Sequence, residues 1–312
     1  MSTKDTFLLG LDIGASSIKY GFGDCQLGLQ FFSKQELAQR SLACLQGTVQ
    51  DILAHCESLT GSGSIRAIGI GTPGTIDRAS MLLAGVNPNL PFWVGHDPRQ
   101  LVPAHLGIPV ASDNDANLMA LGEAWLRGSE GLTVGITVGS GIGCGLVNGG
   151  RLYHGAHGWA MELGHIISVQ QGVPCTCGRN GCLEAYTSVD GIRRRIIGEL
   201  GDICSPKDGL LGILVTRESF PRVGEIIQEG MTILARGIAN LIVLLDPDRV
   251  VLGGGAMDGN LYPPEQLFAA IRSLLPEINR SATALEGACE GNRAGVLGAI
   301  VLADQTFPQE SE

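Results

Sequence analysis

The sequence predicts an α/β fold in two lobes, and three observations carry that reading. Apolar runs bounded by turn residues alternate with segments of helical periodicity. The series of strand meander, helix, strand and helix occurs twice along the chain. The length of 312 residues suits one large or two medium domains, and 44% hydrophobic against 17% charged residues gives each a core to bury.

The elements follow in order. Residues 7–13 read as a buried strand running into Asp12-Ile13-Gly14-Ala15-Ser16-Ser17. Residues 18–24 and 27–33 read as two more strands, and turns this close imply an antiparallel meander. Residues 35–58 place Leu37, Leu42, Leu45, Val49, Ile52 and Leu53 on one helical face. A strand at 65–71 breaks at Gly71-Thr72-Pro73-Gly74, and an irregular loop fills 87–97. A short helix at 99–106 and a strand at 109–112 lead to a helix starting at Asn114, with Asp113 or Asn114 as its cap. Strands at 132–138 and 144–148 are joined by Gly139-Ser140-Gly141-Ile142-Gly143. Residues 149–184 are irregular and rich in Gly, His and Cys. Helices at 188–200 and 222–245, a strand at 249–252 and helices at 264–275 and 294–304 complete the chain. The expected lobes are 1–113, completed by the helix 294–304, and 114–293, which carries the loop 162–184. A cleft is expected between them.

Composition narrows the function classes. A net charge of −10 is a poor electrostatic match for nucleic acid or an anionic membrane, and it suits a cytoplasmic enzyme. The first residues lack the apolar region of a signal peptide, and no run of about 18 apolar residues suggests a membrane span. Nine cysteines, three of them at 175, 177 and 182, favour reduced thiols and a metal over a disulfide framework.

Five motifs have residue types suited to chemistry. Asp12, Gly14, Ser16, Ser17 and Lys19 place a carboxylate, a small-residue turn and a cation together, a set that suits phosphate oxygens and Mg²⁺. A tight hairpin with a surface Asp is the plainer account. Gly139-Ser140-Gly141 lets backbone amides approach a phosphate. Gly253-Gly254-Gly255 follows a strand and admits a flat base and ribose, or simply turns strand into helix. Ser112-Asp113-Asn114-Asp115-Ala116-Asn117 sets Asp115 near a helix N-terminus, where the dipole favours the carboxylate that a general base requires. Capping explains only one of its polar residues. Finally, His165, Cys175, Cys177 and Cys182 supply an imidazole and three thiolates, the donors of a closed structural zinc site. Glu162 and Glu184 flank this cluster and suit the hydroxyls of a sugar.

This order of motifs, above all Glu162-Leu163-Gly164-His165 followed by Cys175-Thr176-Cys177-Gly178-Arg179-Asn180-Gly181-Cys182-Leu183-Glu184, resembles the ROK family of sugar kinases and repressors. The resemblance runs from about Leu9 to about Ala303. It implies the actin/hexokinase-like (ribonuclease H-like) ATPase fold and ATP-dependent phosphorylation of a hexose, first glucose at O6. N-acetylglucosamine, N-acetylmannosamine, fructose, mannose and allose are the alternatives. By the same resemblance Asp115 is the catalytic base, and Gly74, Asn89, Asn114, Glu162, His165 and Glu184 join it as sugar contacts. Asp12, Ser16 and Lys19 lie in the first phosphate loop, Gly139, Ser140 and Gly141 in the second, and Gly253 to Gly255 in the adenosine loop. The expected cofactors are ATP, Mg²⁺ and structural Zn²⁺, and the expected assembly is a homodimer. Polyphosphate-using relatives generally lack the cysteine loop, which favours ATP as donor.

The chain departs from the family pattern in two places: Ala15 and Ser16 replace a second Gly and a Thr, and Asp113 stands where Glu is frequent. The Thr72-Pro73-Gly74-Thr75 loop varies with substrate. Family repressors carry a winged helix-turn-helix before the first phosphate loop, for which Asp12 leaves no room, so a DNA-binding regulator is not expected.

Overall fold

The computed structural model describes residues 6–24, 28–85, 90–204 and 209–309, with the side chain of Asn292 excepted. The strands are β1 (Phe7–Ile13), β2 (Ser17–Asp24), β3 (Gly28–Glu36), β4 (Ile65–Thr72), β5 (Thr75–Ile76), β6 (Leu83–Ala84), β7 (Val110–Asn114), β8 (Leu132–Val138), β9 (Ile142–Asn148), β10 (Arg151–Leu152), β11 (Arg249–Gly253) and β12 (Ala284–Gly287). The helices are α1 (Leu42–Thr60), α2 (Asp115–Leu126), α3 (Glu184–Thr187), α4 (Val189–Leu200), α5 (Gly209–Ser219), α6 (Pro221–Leu245), α7 (Gly255–Asp258), α8 (Pro264–Leu274), α9 (Glu277–Arg280) and α10 (Ala294–Thr306).

The chain forms two compact units. The first holds residues 1–130, 145–160 and 292–312, and the second holds 131–144 and 161–291. The boundary expected at 113/114 falls within β7, inside the first unit by this division.

The first sheet has the order β3-β2-β1-β4-β7. Strands β1, β2 and β3 form an antiparallel meander, and β4 and β7 add in parallel on the other side of β1. The pleat sends alternate side chains of β1 to opposite faces. Leu9, Leu11 and Ile13 join the core built with Leu45, Val49 and Ile52 of α1. Leu8 instead meets Ile300 and Ala303 of α10. The second sheet repeats the same plan, β10-β9-β8-β11-β12, with β9 starting in the second unit and ending in the first.

The expected helix over 35–58 begins later. Residues through Glu36 stay in β3, because Ser17 pairs with Glu36 in the ladder. Ser41 then caps α1 by accepting the Cys44 N–H at 3.3 Å. The segment 99–106 is two 3-10 turns, Pro98–Leu101 and Ala104–Leu106, since Pro103 between them has no N–H to continue a ladder. α5 and β12 add to the expected elements. Leu211 and Val215 of α5 are 70% and 59% exposed, so its apolar residues do not mark one buried face. β12 has only four residues.

Among the described residues, α6 is long and apolar enough to cross a membrane, although the sequence suggested no span. Of its most apolar window, 61% is buried within the protein, as for the core helix of a globular unit.

Candidate active site and metal centre

In the first unit the β1–β2 ladder sets Asp12 directly opposite Lys19. Lys19 Nζ lies 3.0 Å from Asp12 Oδ2. The Gly14 N–H donates to Ser17 O at 2.8 Å and closes the turn, which leaves Ser16 exposed and Ser17 buried.

The residue that caps α2 is Asn114, not Asp113. Asn114 Oδ1 accepts the N–H groups of Ala116 and Asn117 at 2.9 and 3.2 Å. Its amide donates to Gly74 O at 3.1 Å, which brings two sugar-contact candidates together. Asp115 is the first residue of α2, and its Oδ1 accepts the Ala116 N–H at 2.9 Å. Burial, reinforced by the Asp12 carboxylate, pushes the Asp115 carboxyl up to about 6, against the opposing pull of the Ala116 N–H and Lys19. A carboxylate poised there holds little proton at neutral pH and still accepts one readily.

Asp113 makes contacts that sequence reasoning missed. Its Oδ2 accepts from Arg78 Nη2 at 2.9 Å and lies 2.6 Å from His154 Nε2. Arg78 and His154 stand 35 and 41 residues away, so no spacing pattern signals the meeting. Asn89 lies outside the described residues.

In the second unit, Gly139, Ser140 and Gly141 form the turn between β8 and β9, where the Gly139 N–H donates to Gly141 O at 2.9 Å. Glu184 opens α3, and its Oε2 accepts the Ile142 N–H at 2.9 Å. Thr176 Oγ1 donates to Glu184 Oε1 at 3.3 Å. Carboxylate oxygens take more than one donor, so Glu184 retains capacity for a ligand hydroxyl. Glu162 is exposed, and its carbonyl accepts the His165 N–H at 2.9 Å. Gly253 ends β11, and Gly254 turns the chain into α7 with φ 94°. A Cβ on Gly254 would fall 2.6 Å from Val138 O, so only glycine fits this approach to the end of β8.

The cysteine loop gathers its donors. One ligand atom each from His165, Cys175, Cys177 and Cys182 lies within 4.8 Å of all the others. Cys175 Sγ is 3.7 Å from His165 Nδ1, and Cys177 Sγ is 3.6 Å from Cys182 Sγ. Tetrahedral zinc bonds of about 2.3 Å to sulfur and about 2.1 Å to nitrogen put neighbouring donors roughly 3.6–3.8 Å apart. The sulfurs are too far apart for a disulfide. The set therefore fits a closed Cys₃His site, with Nδ1 the metal-facing nitrogen of His165.

The candidates thus form two groups. Asp12, Lys19, Gly74, Asn114 and Asp115 belong to the first unit. Glu162, His165, Glu184, the cysteines and the glycine loops at 139–141 and 253–255 belong to the second.

Two sheets of one repeated topology, with a carboxylate at the end of β1 and another at the start of α2, define the actin/hexokinase-like fold of sugar kinases. A ROK hexokinase structure from Thermus thermophilus is 29% identical with a TM-score of 0.82, covering 96% of this chain and 99% of that one. A ROK family glucokinase from Streptomyces griseus, solved with glucose and AMPPNP, is 26% identical with a TM-score of 0.75 over the same shares. The glucokinase of Halalkalibacterium halodurans is 31% identical over 97% of this chain and 96% of its own. The ROK family model matches residues 8–306, and the chain belongs to the ROK family.

Proposed function

We propose that this chain phosphorylates a hexose with ATP, glucose at O6 first among the candidates. The observation that carries the reading is Asp115, a carboxylate raised to about 6 at the N-terminus of α2, beside the Asp12–Lys19 pair. The likeness to glucokinases, one of them solved with glucose and AMPPNP, supports both substrates.

In this reading Asn114, Gly74, Asn89, Glu162, His165 and Glu184 hold the sugar. Asp115 takes the proton of the attacking hydroxyl as its oxygen bonds to the γ-phosphorus. The bond from that phosphorus to the β–γ bridging oxygen breaks, and ADP leaves with the electron pair. Most of the acceleration comes from alignment and from charge stabilisation. Gly14, Ser16, Ser17 and Lys19, the 139–141 turn and the 253–255 turn cradle the nucleotide. Asp12 offers the hard oxygen donor that Mg²⁺ prefers, and the ion would neutralise phosphate charge there.

His165, Cys175, Cys177 and Cys182 would hold a structural zinc, which would fix the loop bearing Glu162 and Glu184. Its four protein donors leave no open position for chemistry. Family resemblance supports a homodimer, and the acidic composition suits a cytoplasmic setting; mass measurement in solution tests the former.

The deciding experiment is ADP release over a panel of glucose, mannose, fructose, allose and the N-acetylhexosamines. Turnover of one sugar well above the rest is expected. ADP release equal with and without every sugar would sink the proposal.

A further inference from the structure

We propose that Asp113 is a positioning residue for the transfer centre, clamped by Arg78 and His154 so that it fixes both Asn114 and Asp115; this rests on the reading of Asp115 as the base. Asp113 sits on β7 directly before α2, and its side chain is 4% exposed. Four groups face its carboxylate, and three of them are fixed donors. Oδ1 accepts the Asn114 N–H and the Asn117 amide, each at 2.8 Å. Oδ2 takes Arg78 Nη2 at 2.9 Å and faces His154 Nε2 at 2.6 Å. An ionised carboxylate only accepts, so His154 carries a hydrogen on Nε2. Burial alone would drive the Asp113 carboxyl up, yet His154, Asn117 and Arg78 hold it below the usual range.

The geometry serves more than helix capping, because Asn114 already caps α2. The bond to the Asn114 N–H fixes the peptide between residues 113 and 114, one peptide ahead of the proposed base. The bond to Asn117 fixes the first turn of the helix on which Asp115 stands. Asn114 in turn reaches Gly74 O, so one carboxylate orients the base and a proposed sugar contact together. The clamp's outer side is itself seated: Gly158 has φ 89°, and a Cβ there would lie 2.7 Å from Arg78 Cγ and 3.1 Å from Ile76 O. The segment after β10 is thereby packed on Arg78. Transfer demands alignment to a fraction of an ångström, and a displacement of about 1 Å can cost about a hundredfold in rate.

The test is steady-state ADP release by Asp113→Asn, Arg78→Ala, Arg78→Lys and His154→Ala, each checked for thermal unfolding. An amide at position 113 turns a donor toward donors. We expect Asp113→Asn to lose about tenfold to a hundredfold in kcat and to raise hexose KM, with ATP KM unchanged. Arg78→Ala and His154→Ala should show the same split more weakly, and Arg78→Lys should recover most of the Arg78→Ala loss. If Asp113→Asn does not fold, the Arg78 and His154 variants decide. Variants with a lowered Tm but wild-type kcat and hexose KM would reduce Asp113 to a structural ion pair and overturn the proposal. A wild-type chain that phosphorylates no hexose would overturn the kinase reading and this clamp with it. An active wild type with kinetically silent variants overturns the clamp alone.

Discussion

Lys19 Nζ stands 3.0 Å from Asp12 Oδ2 across the β1–β2 ladder, and both charges act on Asp115. Asp12 raises the Asp115 carboxyl and Lys19 lowers it, with burial as the larger upward push. Neutralising Lys19 removes the downward pull. In wild type, kcat/KM for the hexose should fall below about pH 6 along a single-proton limb. Lys19→Met should move that limb to higher pH. A pH–rate profile at saturating ATP checks both, and an unmoved limb would separate Lys19 from the base.

Asp115→Asn should lower kcat by about 10²–10⁴-fold, the usual worth of a general base. The Asn114 and Gly74 contacts do not depend on the charge, so calorimetric sugar affinity should stay within a few-fold. Near-normal turnover would remove Asp115 from the chemistry.

The same substitution has a stability signature. A carboxyl raised from 3.8 to about 6 binds its proton more tightly in the native chain than in the unfolded one. Folding is favoured by that proton at low pH, and the contribution is lost as pH rises through about 6. At pH 8 the native chain therefore holds a carboxylate in an unfavourable place. The Asn variant should unfold at a temperature equal to or above wild type at pH 8, and its advantage should shrink toward pH 4. A variant less stable at pH 8 than wild type would contradict this.

Cys177→Ser, or dialysis against a zinc chelator, should release about one metal ion per chain, measured with a colorimetric zinc indicator. Hexose KM should rise and Tm should fall, while kcat at saturating sugar holds. Lost kcat with intact KM and Tm would assign the metal to the transfer step instead.

Thr72 Oγ1 accepts the indole N–H of Trp93 at 2.9 Å, with Trp93 1% exposed. Thr72→Val keeps the shape and strands that donor, at a cost of about 1–3 kcal/mol. Denaturant unfolding should show a shifted midpoint at constant m. An unchanged midpoint would indicate that the indole finds another acceptor.

The sequence exposed the parts of this protein that are local. The β1–β2 turn, the Asn114-Asp115 helix start and the cysteine loop lie within short stretches, so residue type and spacing mark them. The start of α1 is not legible locally, because Leu37 fits the helical period while Ser17–Glu36 pairing holds its predecessor in β3. The partners of Asp113 were invisible for a related reason. Arg78 and His154 reach it only because β7, the segment after β5 and the segment after β10 fold together, and nothing in either residue's neighbourhood announces an ion pair.

The discontinuity of the first unit bears on biosynthesis. β1, the strand that carries Asp12, is covered on one face by α10, and Gly10 lies against Val296 O so closely that a Cβ there would be 2.3 Å away. Residues 294–306 leave the ribosome after all of 131–291. The second unit therefore has its whole sequence available before the first can close, and β1 must wait, half-covered, through the synthesis of most of the chain. A nascent chain arrested before residue 294 should hold β1 open to protease or chaperone, and adding the last thirteen-residue helix should protect it.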